Sequence, residues 1–128
     1  MRALLDTHTS LWWLADSESL SDRAYGALAD EVNTIAVSAA SAWEIATKHR
    51  LGRLPSADAL AYDIGAYIAG QGFDEMAITV DDVSRAGALP GHHRDPFDRM
   101  LIAQALTRDI VLISNESLFD LYGVRRLW

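Results

Sequence analysis

Short apolar segments alternate with helix-forming ones along the whole chain, and that alternation constrains the fold more than any other feature. Residues 2–5 read as a strand ending at Asp6, and 7–15 follow as a helix. Ser21-Asp22-Arg23-Ala24 starts a second helix running to about Glu31, before a β-branched strand at 34–37. A helix spans 41–51, closed by Gly52, and Pro55-Ser56-Ala57-Asp58 opens another that ends near Gly70 or Gly72. A strand is expected at 76–79, then a short helix at 81–89 ended by Pro90-Gly91. Residues 96–108 form a helix with Pro96 at its first position. Residues 110–113 are a strand, 117–121 a helical turn and 124–128 a last strand. Short apolar strands separated by helices predict a parallel sheet covered on both faces. In such sheets ligands sit beyond the carboxyl ends of the strands.

At 128 residues, half of them hydrophobic, the chain is expected to form one domain, residues 1–128, with a real core. No apolar run approaches the ~20 residues that span a bilayer. Asp6 interrupts the amino-terminal apolar run too early for a signal peptide, so a cytoplasmic protein without membrane contact is expected. The absence of cysteine excludes disulfides and thiolate metal sites. A net charge of −7 is opposite to the footprint of a general nucleic-acid binder. The cations are ten Arg and Lys48, and Arg suits bidentate phosphate contacts.

Several carboxylates fall where a ligand would sit. Asp6 follows the first strand, Glu44 lies about one turn into the helix after the second, and Glu116 follows the fourth. Asp98 shares a helix face with Leu101, Ile102 and Ala105 and should look into the core. Each has a simpler explanation. Asp6 and Asp95 suit helix N-caps. Glu44 can pair with Lys48 at i,i+4, Asp98 can favour a helix dipole, and Glu116 can cap the turn at Ser117. His92-His93 reads as a solvated loop, and Thr7, Thr9 and Ser10 as first-turn polar residues. Trp12, Trp13 and Trp43 suit a core or an interface, but the adjacent Trp12 and Trp13 cannot both face one core. Taken together, carboxylates converging at one sheet edge are tolerable if divalent cations neutralise them. Mg²⁺ prefers oxygen ligands and activates water, which points to phosphodiester hydrolysis.

The segments Leu4-Leu5-Asp6-Thr7-His8, Ser41-Ala42-Trp43-Glu44-Ile45 and His92-His93-Arg94-Asp95-Pro96-Phe97-Asp98-Arg99 resemble the PIN domain. So do Leu101-Ile102-Ala103-Gln104-Ala105 and Leu112-Ile113-Ser114-Asn115-Glu116 through Tyr122-Gly123-Val124. Within that family the chain is similar to the VapC-type ribonuclease toxins of toxin–antitoxin pairs. The resemblance implies an α/β/α sandwich with a small central parallel sheet and a Mg²⁺- or Mn²⁺-dependent endoribonuclease. It carries the acidic quartet onto Asp6, Glu44, Asp98 and Glu116, with Asp6, Asp98 and Glu44 as metal ligands and Asp95 as an auxiliary one. It also implies a homodimer, an RNA substrate and a cognate antitoxin. Arg94, Arg99, Arg50 and Arg53 are candidates for holding RNA phosphates. The alternatives are a catalytically inactive binding module on the same fold, a phosphoacceptor receiver-like domain and a structure-specific DNA nuclease.

Overall fold

The computed structural model describes residues 1–54, 57–91 and 93–128. Among these residues, five strands and seven helices follow one another as β1 (Arg2–Leu5), α1 (Thr7–Leu14), α2 (Asp22–Ala29), β2 (Thr34–Ser38), α3 (Ala39–Arg50), α4 (Asp58–Tyr62), α5 (Ile64–Gly70), β3 (Asp74–Met76), α6 (Val80–Ala88), α7 (Pro96–Arg108), β4 (Val111–Ile113) and β5 (Arg126–Leu127). A 3-10 turn, Ser117–Tyr122, precedes β5. All strand pairs are parallel, in the order β3-β2-β1-β4-β5.

Side chains alternate across a strand, so each central strand feeds two cores. Leu4, Ala36 and Leu112 point to one face, where Leu101, Ile102 and Ala105 of α7 and Phe119 of the 3-10 turn cover them. Ala3, Leu5, Ile35, Val37 and Ile113 point to the other, under Ala24 and Leu28 of α2 and Ile68 of α5. The result is the expected α/β/α sandwich. The order also removes one alternative, because flavodoxin-like receivers are wound 2-1-3-4-5.

Three boundaries depart from the sequence reading. The third strand lies at Asp74–Met76, upstream of the expected 76–79, in a segment whose exposed Asp74 and Glu75 hide the apolar signal. The single helix expected from Pro55 towards Gly70 is two, broken where Asp63 accepts from the Ala66 amide at 2.9 Å. The Pro55-Ser56 part of that expected start lies outside the described residues. The helix expected from Ser41 begins two residues earlier, because Ser38 caps it through the Ala40 amide at 3.0 Å.

Beneath this sandwich a buried polar chain ties β2 to α6 and α7. Ser38 Oγ donates to Gln104 Oε1 at 2.6 Å, and Gln104 Nε2 donates to Asp82 Oδ2 at 3.3 Å. Arg108 grips Asp82 with two bonds of 2.8 and 2.9 Å. That ion pair holds the Asp82 carboxyl well below the usual carboxylate range.

Candidate active site

The strand order reverses beside β1, since β2 lies on one side of it and β4 on the other. The crevice beyond the ends of β1 and β4 is therefore the switch point where parallel sheets bind ligands. Asp6 leaves β1 at that crevice and is 3% exposed. It occupies the N-cap position of α1, yet its side chain caps nothing. Instead Oδ2 accepts from Ser114 Oγ at 2.7 Å, across from the end of β4, and buried Oδ1 has no hydrogen-bond partner among the described residues. The simple capping explanation for Asp6 therefore fails. Burial pushes its pKa up, against the opposing pull of Ser114 and His8.

Glu44 projects from α3 and is 2% exposed. Its Oε2 meets Lys48 Nζ, the i,i+4 partner expected from sequence, and Oε1 is buried without a hydrogen-bond partner among the described residues. The pairing thus accounts for one of the two oxygens. Thr7 Oγ1 donates to Ser41 Oγ at 2.9 Å, pinning the start of α1 to α3.

Asp98 sits in the first turn of α7, above the fully buried Leu101 and Ile102, with its side chain 20% exposed. Burial, followed by the charges of Asp6, Asp95, Glu44 and Glu116, pushes its carboxyl up to about 8. All five carboxylates singled out from the sequence are therefore close enough to interact around Asp98. His93 Nε2 lies 2.8 Å from Asp98 Oδ2, although the ring is turned off the hydrogen-bond line. The ring also packs 5.9 Å from Phe119. His93 is thus part of the site wall and not of a solvated loop; His92 lies outside the described residues.

The remaining acidic candidates are engaged as caps. Asp95 Oδ1 accepts from the amides of Phe97 at 2.9 Å and Asp98 at 3.2 Å. Exposed Glu116 accepts from the Leu118 amide at 3.1 Å. Of the arginines, Arg50 and Arg53 are exposed, and Arg94 is exposed as well. Arg99 is not available to phosphate, because its guanidinium donates to the carbonyls of Ala86, Leu89, Pro90 and His93. The two adjacent tryptophans diverge as expected. Trp13 packs on Phe73 and donates to Gln71 at 2.9 Å, while Trp12 meets Trp128. Trp43 stays out of the core, at 63% exposed.

The residues fit a divalent cation. Asp6 and Glu44 each keep a buried oxygen unpartnered among the described residues, and Asp98 is crowded by like charge. Among the described residues no three His, Asp or Glu side chains are arranged to hold an ion by themselves. Mg²⁺ typically takes one or two carboxylates and retains several waters, so a complete protein cage is not required. Ser114 and His93 are the partners that sequence reasoning missed. Ser114 meets Asp6 across 108 residues of chain, and no local pattern reports such a contact.

A parallel sandwich with carboxylates gathered at its switch point defines a class of α/β proteins with an acidic site. The chain belongs to the PIN domain family, whose profile matches residues 3–124. It is similar in fold to VapBC2 from Rickettsia felis, solved bound to a DNA fragment from their promoter, at 17% identity and a TM-score of 0.71 over 99% of this chain and 98% of that one. It is also similar to DNA-bound VapBC from Salmonella typhimurium, at 16% identity and a TM-score of 0.65 over 99% and 97% of the two chains. VapBC-1 from nontypeable Haemophilus influenzae matches at 14% identity and a TM-score of 0.61, again over 99% and 97%. None of the curated protein sequences matches the chain.

Proposed function

We propose that this chain is a divalent-metal-dependent endoribonuclease that acts as the toxin of a toxin–antitoxin pair. The observation that carries the reading is the arrangement of Asp6, Glu44 and Asp98. Two buried carboxylates each leave an oxygen unpartnered among the described residues, beside a third held up to about 8. Such a cluster is costly alone and is relieved by a cation. The VapBC structures of the same fold carry the name of the toxin class that the sequence motifs resemble. A cognate antitoxin, a homodimer and a cytoplasmic location belong to the same proposal.

Asp6 and Asp98 would hold the ion, Mg²⁺ or Mn²⁺, with Glu44 completing the site. When bound, it would activate water and stabilise charge on a phosphodiester undergoing hydrolysis. The chain's own contribution is rigidity. Ser114 fixes Asp6, Lys48 fixes Glu44, and the capped start of α7 aims Asp98. His93, whose Nε2 lies 2.8 Å from Asp98 Oδ2, walls the site on that side. Asp95 and Glu116, already capping, add negative charge around the site and can orient water.

The test uses chain purified free of any antitoxin. Asp6→Asn and Asp98→Asn should each lower Mg²⁺-dependent RNA cleavage by about a hundredfold or more, as expected when a group acting on the transition state is removed. Cleavage at the parent rate by either variant would end this assignment.

A further inference from the structure

Two aromatic rings stand beside the carboxylates without serving the core. Trp43 immediately precedes Glu44 on α3, and Phe97 immediately precedes Asp98 on α7. Their rings meet edge to face, with centroids 4.9 Å apart and planes at 75°. The contact bridges the two helices that carry Glu44 and Asp98. Neither ring belongs to the two clusters of core residues, and Trp43 keeps 63% of its surface in solvent. We propose that Trp43, braced by Phe97, is a stacking platform for an unpaired nucleobase of the RNA at the mouth of the carboxylate site. The proposal rests on the nuclease function proposed above and adds how the substrate is held.

Charge gives such a platform a purpose. The molecule carries −7, and four further carboxylates act on Asp98 at this site. A phosphate backbone approaching the site is repelled. Two cations on these helices that would offset this are engaged, Lys48 with Glu44 and Arg99 with backbone carbonyls. Stacking adds binding energy near the scissile bond that does not depend on charge, beside what the exposed Arg50, Arg53 and Arg94 can offer to phosphate. Stacking of a base on an aromatic ring supplies about 1–3 kcal/mol per base and works with every base. A base within a duplex is already covered by its neighbours, so the platform selects single-stranded RNA.

The experiment measures binding apart from cleavage. Asp6→Asn protein, expected to cut RNA about a hundredfold more slowly, is titrated in chelator with a labelled single-stranded oligoribonucleotide and with the same strand annealed to its complement. Adding Trp43→Ala or Trp43→Leu should weaken single-strand binding by about 5- to 100-fold, the equivalent of one lost stack. Trp43→Phe should recover much of the loss, and the loss should persist at raised salt. Thermal unfolding of each variant should match that of the Asp6→Asn parent, because Trp43 lies outside the core. If the parent binds the single strand and Trp43→Leu binds it equally well, the platform is refuted while the nuclease function stands. A Trp43→Leu variant that loses affinity only for a protein partner refutes the platform in the same way. If the wild-type chain neither binds nor cuts RNA, both proposals fall.

Discussion

Asp98 is the side chain whose ionisation this fold opposes most clearly, and removing that ionisation should stabilise the protein. Its carboxyl titrates near 3.8 in an unfolded chain and at about 8 in the folded one, through burial first and the four neighbouring carboxylates second. Between those values the native state keeps a proton that the unfolded state has lost. Stability is then fully present below about pH 4 and is lost as pH rises through about 8. Each unit of difference corresponds to about 1.4 kcal/mol, so the gap sets an upper limit of roughly 6 kcal/mol. Solvent screening at a side chain one-fifth exposed reduces this to about 2–4 kcal/mol. Asp98→Asn preserves shape and removes the charge. In chelator at about pH 9, the variant should melt on the order of 10 °C above the parent, and the two should converge below about pH 4. Calorimetric or circular-dichroism melts across that range provide the assay. Asp6 contributes a slope of the same sign, so the comparison reads the Asp98 charge together with its coupling to Asp6. A variant no more stable than its parent at about pH 9 would refute the argument that Asp98 is held uncompensated.

Other perturbations test the scaffold behind the site. Arg99→Ala leaves the carbonyls of Ala86, Leu89, Pro90 and His93 without their shared donor. Denaturant titration should show a loss of about 2–3 kcal/mol, and an unchanged midpoint would contradict the structural role given to Arg99. Asp82→Asn removes a buried carboxylate gripped by Arg108 and should cost roughly 3 kcal/mol at neutral pH. The Asp82 pKa is lowered by folding, so the stability it adds is present above about pH 4 and lost as pH falls below it. The acid limb of the stability profile should therefore flatten in Asp82→Asn, and an acid limb identical to the parent's would count against the pairing.

The central strands were legible because strands covered on both faces must be apolar throughout, as Ala3-Leu4-Leu5 and Ile35-Ala36-Val37 are. β3 was not, because an edge strand can carry Asp74 and Glu75. The break at Asp63 rests on a single side-chain cap, and Gly65 falls inside the following helix and not at the break itself. For the site, sequence supplied the candidates but not their ranking. Asp6 and Asp95 both occupy N-cap positions. Asp95 caps and Asp6 does not, because Ser114 from a distant strand turns the Asp6 carboxylate elsewhere. Asp98 was legible, since its place in the apolar stripe of α7 already implied burial without an obvious partner.

The two outer strands bear on how copies of this molecule can meet. β5 has two residues, and its Arg126 is clamped to Asp120 by bonds of 2.8 and 3.0 Å. β3 has three, two of them acidic and exposed. Short, charged margins like these resist sheet-to-sheet extension between molecules. These margins therefore disfavour the cross-strand polymerisation that open parallel sheets otherwise invite.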